Sequence, residues 1–323
     1  NLINQERNKL FNLYSRSYIS KLKNKTFIKY KWKKKILIVI GDPISINSEI
    51  LYKSWKKIDS SLRKKIIIIS NFKLLQKQFQ KLRFSANLTK IKNIHENSAP
   101  HLLKIMDVKL KFKNPFKIEK RNLSNFVISS MNLAHKLSLS NEVIGMINCP
   151  INKNVLNLKK KGITEYLASK CKIKDNSEVM LIKSNKLTVC PITTHIDIKD
   201  ISKKLKMSLI INKIKTINKW YKKNEKKIPK IGILGLNPHN AELRKNSEEN
   251  KCIIPSIKRL RKLKINIRGP LVSDSLFIEQ YKNYDVVVGM YHDQVLIPIK
   301  ALCKYEAINV TLGLKYLRVS PDH

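Results

Sequence analysis

The sequence predicts an α/β fold built on a largely parallel sheet. Short runs of aliphatic, mostly β-branched residues recur along the chain without the polar alternation of a half-solvated sheet, which is the pattern of strands covered on both faces. Stretches with helical spacing of apolar residues lie between several of these runs, and strands alternating with helices give crossover connections and parallel pairing. The residues with the most chemistry in them fall just past the ends of the runs, where α/β proteins place their sites.

Residues 1–35 are polar and interrupted by lysine, and read as a basic N-terminal extension. The fold starts at 36–40, the run Ile-Leu-Ile-Val-Ile. Gly41-Asp42-Pro43 supplies a turn, and a helix follows over 48–57. A second strand at 65–70 leads into a helix at 72–82, and 86–118 is irregular chain with short strands. Residues 123–139 form a helix, because Phe126, Met131, Ala134 and Leu137 are close to helical spacing. Strands then follow at 143–149, 178–182, 186–191, 230–236 and 285–290, with helices over 198–224 and 248–263. At 323 residues, length suggests two domains.

Charge is the unusual feature of the composition. Lys and Arg total 66 against 23 Asp and Glu, a formal net charge of +43. Such a charge suits a nucleic-acid or anionic-membrane binder. However, 56 of the 66 are lysine and only ten arginine, whereas base readout and bidentate phosphate recognition favour arginine. The lysines run through every segment instead of forming a stripe, and no nucleic-acid motif with interleaved aromatics occurs. The charge therefore reads as lysine-rich solvated surface, equally suited to an anionic substrate. Five cysteines without a Cys-x-x-Cys pair point to a reduced, cytoplasmic compartment. No apolar run reaches the roughly 18–20 residues that cross a bilayer. The chain starts without Met and stops at His323, so a fragment is expected.

Three of the seven histidines follow predicted strands: His195 in Thr-Thr-His, His239 in Asn-Pro-His and His292 in Tyr-His-Asp-Gln. Their separations match no local metal motif. Strand ends of one α/β domain converge, however, and three imidazoles with an open position suit a catalytic divalent metal. Asp293 and Asp274 are candidates to orient those imidazoles. Lys153, Thr164, Lys300, Asn309 and Arg318 offer charge and directed donors for phosphate or carboxylate. Arg318 stands out among them because arginine is scarce. With eight glycines there is no Gly-x-Gly-x-x-Gly and no Walker A loop, which argues against an ordinary Rossmann cofactor loop. There is no Gly-x-Ser-x-Gly elbow either.

Read in order, several blocks resemble one family. They are Gly41-Asp42-Pro43, Pro150-Ile151-Asn152-Lys153, Gly162-Ile163-Thr164-Glu165-Tyr166, Thr193-Thr194-His195, Gly235-Leu236-Asn237-Pro238-His239, Gly269-Pro270-Leu271-Val272-Ser273-Asp274, Met290-Tyr291-His292-Asp293-Gln294 and Asn309-Val310-Thr311-Leu312-Gly313-Leu314. The family is 4-hydroxythreonine-4-phosphate dehydrogenase, of pyridoxal 5′-phosphate biosynthesis, and the resemblance covers residues 36–323. It implies a two-domain α/β/α fold like isocitrate and isopropylmalate dehydrogenase, with the active site in the interdomain cleft. The first domain is then expected over 36–150 plus 307–323, and the second, carrying the metal ligands, over 151–306. A homodimer whose site draws on both subunits is also implied.

By this resemblance His195, His239 and His292 are ligands of a divalent metal (Zn, Mg or Co), and Thr164, Lys300, Asn309 and Arg318 bind substrate. The cofactor is NAD or NADP, approached by Asp322 and His323. The implied reaction is oxidation of 4-phosphooxy-L-threonine at its C3 hydroxyl, followed by decarboxylation of the 3-keto acid to 3-amino-2-oxopropyl phosphate. The metal lowers the pKa of that hydroxyl, and Lys300, with Asp293 beside His292, serves catalysis.

Three departures qualify the resemblance. Ile163 stands where the family has His, removing a substrate hydrogen bond and opening a paralogous activity on 4-phosphorylated threonate or erythronate. Glycines expected after Gly41-Asp42-Pro43 are Ser45 and Asn47, and one expected after Asn-Pro-His is Ala241, so relaxed loops are anticipated. The sequence stops at Asp322-His323, within the expected cofactor loop, which predicts weak NAD binding. A non-catalytic, basic nucleic-acid-binding protein on the same scaffold is the alternative of another class.

Overall fold

The computed structural model describes residues 34–152, 162–173 and 176–322. Most of the expected extension, Lys153 and His323 lie outside the described residues. The fold is mixed α/β, and the described residues fall into two compact units. One takes the chain up to Leu167 together with Lys315–Pro321; the other takes Ala168–Leu314 with Asp322.

The strands of the first unit are β1 (Lys35–Val39), β2 (Ile66–Ser70), β3 (Leu88–Ile91), β4 (Leu103–Asp107), β5 (Val143–Asn148) and the last strand of the chain, β12 (Leu317–Pro321). They lie in the order β3-β4-β2-β1-β5-β12, and each adjacent pair is parallel. Leu37, Ile38 and Val39 of β1 and Ile66 to Ile69 of β2 are fully buried, as expected of central strands without polar alternation. Helices α1 (Asn47–Lys57), α2 (Phe72–Lys81) and α3 (Lys120–Ser138) follow β1, β2 and β4. In α3 the buried face is Leu123, Phe126, Val127, Ser130, Met131 and Ala134, an i, i+3, i+4 stripe. Asn71 caps α2, accepting the Leu74 N–H at 2.9 Å. A further helix, α4 (Ile163–Lys170), carries Thr164 in its first turn.

The second unit contains β6 (Val179–Lys183), β7 (Thr188–Pro191), β8 (Ile231–Leu234), β9 (Ile267–Leu271), β10 (Val286–Gly289) and β11 (Ile308–Leu312), in the order β11-β6-β7-β10-β8-β9. β7, β10, β8 and β9 run parallel, while β6 is antiparallel to both its neighbours. Pairing with β6 places β11 in this unit, so the sequence boundary at 307 does not coincide with the observed one. The longer helices are α5 (Met207–Asn224), α6 (Ile254–Lys262) and α7 (His292–Cys303). The helix expected over 198–224 is interrupted at Leu205, which is extended and buried, so α5 begins only at Met207. The one expected over 248–263 starts with a wider π turn, Glu249–Ile253, before α6.

The loop after β1 is not slack, contrary to the expectation drawn from Ser45 and Asn47. Asn47 is fully buried, and its Nδ2 donates to the carbonyls of Ile40 (2.7 Å) and Pro150 (2.7 Å), joining the two strand ends. Ser45 Oγ donates to the Asp42 carbonyl at 2.7 Å. Side-chain bonds here stabilise turns for which glycine would supply only conformational freedom. Asn47→Ala should therefore cost about 1–3 kcal/mol, because it strands buried carbonyls; chemical denaturation of the two proteins measures this directly.

Candidate active site

In the second unit the carboxyl ends of four parallel strands are tied together by side chains of the loops that leave them. Ile192 N–H, just past β7, donates to the Gly289 carbonyl (2.8 Å), and Thr193 donates to the Met290 carbonyl through both N–H (3.1 Å) and Oγ1 (2.7 Å). Gln294, in the first turn of α7, then joins three ends at once. Its Oε1 accepts the Met290 N–H at 2.7 Å after β10. Its Nε2 donates to the Gly235 carbonyl (2.7 Å) after β8 and to Ser273 Oγ (2.9 Å) after β9. Gly289 is required for this approach, since a Cβ there would lie 2.5 Å from Val295 Cγ1 and 2.9 Å from Gln294 Oε1. Gln294 belongs to the Met290–Gln294 block, but nothing in the sequence alone assigns it this bracing role.

This bracing sets His195, after β7, near His292, the first residue of α7. Their ring centroids are 5.6 Å apart with a 38° tilt. His292 Nδ1 is 2.6 Å from Asp293 Oδ1, which leaves Nε2 as the nitrogen for another ligand. Thr193, Thr194, His195, Tyr291, His292 and Asp293 line one side of a pocket of about 160 Å³. Two imidazoles sharing a tetrahedral ion, with nitrogens at about 2.0–2.1 Å, place their centroids roughly 5–6 Å apart, so this pair fits a divalent metal. No group of three potential metal-ligating side chains occurs among the described residues. His239 is exposed on the loop after β8 and does not join the pair in a single chain. Asp274, a candidate to orient an imidazole, instead accepts the N–H of its neighbour Ser275 at 2.6 Å.

Lys300 and Asn309 also belong to this unit. Lys300 Nζ is 3.7 Å from Asp322 Oδ2, and the Asp322 side chain is only 8% exposed. Asp322 Oδ1 and Asn309 Oδ1 are buried acceptors without a hydrogen-bond partner.

The first unit holds Arg318 and Thr164, two of the residues expected to bind substrate. Arg318, 4% exposed on β12, donates through Nε to Asn148 Oδ1 (2.7 Å) at the end of β5 and through Nη1 to Thr164 Oγ1 (3.4 Å). Burial pulls its guanidinium down to about 10, with Glu165 opposing, so it stays charged at neutral pH. Helix α3 buttresses both elements: Tyr166 Oη donates to Asn132 Oδ1 at 2.6 Å, and His135 Nδ1 is 2.8 Å from Tyr316 Oη. Asn148 was missed in the sequence; its place before Cys149-Pro150, at the end of a strand, was the available signal.

Arranged in this way, the strand ends of the second unit describe an α/β enzyme with a paired-imidazole site. Comparison with known proteins gives the family. The model for "Pyridoxal phosphate biosynthetic protein PdxA" matches residues 62–323. A 4-hydroxythreonine-4-phosphate dehydrogenase from Sulfurihydrogenibium sp. is 36% identical over 296 residues, covering 90% of this chain and 89% of that protein. A putative D-threonate 4-phosphate dehydrogenase from Oceanobacillus iheyensis is 31% identical over 296 residues, 88% of each chain. Among solved structures, a putative 4-hydroxythreonine-4-phosphate dehydrogenase from Salmonella typhimurium matches with a TM-score of 0.79 at 28% identity, over 90% of this chain and 91% of that one. The chain belongs to the PdxA family and is an oxidoreductase of the dehydrogenase kind. No helix among the described residues is long and apolar enough to cross a membrane.

If Gln294 braces the site, Gln294→Ala should strand the Met290 N–H and the Gly235 carbonyl and cost about 2–4 kcal/mol. Thermal unfolding and activity assays of the variant would show a lowered Tm with activity lost well below that Tm; unchanged values would refute the bracing role.

Proposed function

We propose that the protein catalyses NAD-dependent oxidation of 4-phosphooxy-L-threonine at C3, giving a 3-keto acid that decarboxylates to 3-amino-2-oxopropyl phosphate. The observation that carries this reading is the His195–His292 pair, set at ligand spacing beside Asp293 in a chain of this family. His195 and His292 would hold a divalent metal, which would supply Lewis acidity toward a substrate hydroxyl, and NAD would supply the hydride acceptor. His239 is the third ligand and comes from a second copy in a homodimer; its exposure in the single chain supports this.

The chain's own groups have defined tasks. The Arg318 guanidinium, oriented by Asn148 and Thr164, holds the substrate phosphate or carboxylate. Asn309 presents a buried carboxamide oxygen to a substrate donor, and Asp322 presents a buried carboxylate oxygen to a cofactor hydroxyl. Lys300 Nζ, paired with Asp322 Oδ2, polarises the C3 oxygen or relays the proton it gives up. Asp293 fixes the His292 ring through Nδ1. Fixing the substrate at Arg318 turns an encounter into an oriented reaction.

A second reading has its own observation. Ile163 replaces the hydrogen-bonding His that the resemblance leads one to expect, and relatives named for D-threonate 4-phosphate align over nearly the whole chain. A 4-phosphorylated sugar acid is then the substrate. Purified full chain with metal and NAD, given 4-phosphooxy-L-threonine and D-threonate 4-phosphate side by side, decides between them by kcat/KM. NADH formation with the first and little with the second is expected; turnover of neither would sink both readings.

Arg318→Lys keeps the charge but loses the fork. KM for the phosphorylated substrate should rise about tenfold to a hundredfold with little change in Tm, as steady-state kinetics would record.

A further inference from the structure

The loop after β8 carries His239 in a costly conformation. His239, Asn240, Ala241, Glu242 and Leu243 are consecutive residues with φ between +48° and +57°. For residues with a Cβ this region costs roughly 1–2 kcal/mol each, so surrounding structure must over-determine it. The entry to that loop is held by one side chain. Glu249 is fully buried, at the first position of the π turn. Its Oε1 accepts the N–H of Leu236 (2.8 Å) and of Asn237 (2.9 Å), and its Oε2 accepts Asn237 Nδ2 (3.0 Å).

Asn237 Nδ2 is shared with Glu248 Oε2 at 2.9 Å, and Glu248 in turn accepts from Ser202 Oγ. The close fit depends on Gly235, where a Cβ would fall 2.0 Å from Asn240 Oδ1 and 3.1 Å from Glu249 Oε1. Among the described residues no cationic side chain pairs with Glu249. Burial pushes its carboxyl up, but the bonds from Asn237 and Leu236 together outweigh that and hold it below the usual range. An ionised, buried carboxylate kept by amide donors, with no cation beside it among the described residues, is an expensive arrangement for mere loop packing. π turns of this kind concentrate at functional sites.

We propose that Glu249 is a positioning residue for His239: its buried carboxylate fixes the backbone of Leu236 and Asn237 and so sets where the His239 imidazole is presented. The proposal rests on the three-histidine reading above. Glu249 touches neither substrate nor metal and acts through the loop.

The test uses the full chain and cobalt(II) alone, comparing wild type, Glu249→Gln, His239→Ala and the double variant. Glutamine of nearly the same size can offer only one acceptor oxygen where the carboxylate offers two. Glu249→Gln should weaken cobalt binding about tenfold to a hundredfold, the range for residues that orient a ligand. It should also shift the visible cobalt spectrum in the same sense as His239→Ala. The double variant should bind no more weakly than His239→Ala. Asn237→Ala, which removes one rung and leaves both backbone bonds, serves if Glu249→Gln does not fold, with a smaller effect and the same non-additivity. Losses that add to those of His239→Ala, or cobalt affinity and spectrum unchanged in the folded variants, would overturn the assignment. Unchanged binding in His239→Ala itself would instead bring down the three-histidine reading, and the role of Glu249 with it.

Discussion

One carboxamide organises the second unit. Gln294 sits where α7 leaves β10, and its two polar atoms reach the ends of β10, β8 and β9. Parallel strands gather their carboxyl ends on one side of a sheet but do not by themselves fix the loops beyond those ends. A half-buried amide bonded to the buried ends of Gly235 and Met290 does, because the backbone groups it serves would otherwise be stranded away from water. Thr193 does the same between β7 and β10. The spacing of His195 and His292 follows from these bonds, and the chemistry depends on that spacing.

Charge is handled differently in the two units. The first buries a cation, Arg318, bonded to the side-chain oxygens of Asn148 and Thr164, with the Glu165 carboxylate acting on it. The second buries anions, Asp322 and Glu249, with Lys300 at the edge of one and amide donors around the other. Against a net charge of +43, most of the lysine has no part in these arrangements. The few charges that are buried and oriented carry the proposed function, as expected when solvent screens the rest.

Much of the frame was legible in sequence. β1, β2, β5 and β10 are apolar runs, and His195, His239 and His292 could be placed at strand ends because those runs stop just before them. Elements whose composition contradicts their structure were not foreseen. β9 contains Gly269-Pro270, which argues against a strand, and α7 contains Pro298 within an apolar run that lacks a clear helical stripe. Long-range partners were equally invisible: Asn148 meets Arg318 from 170 residues away, and Gln294 meets Gly235 from 59. Ser45 and Asn47 show the commonest error of such reading. A missing glycine suggested slack, while the replacing side chain supplied three carbonyl contacts of its own.

Zinc titration of the metal-free full chain against its His292→Ala variant goes most directly to the central claim, that the strand-end histidines form a metal site. One ion per chain is predicted for the wild type, with affinity lowered by more than about tenfold in the variant. Superimposable isotherms would contradict it.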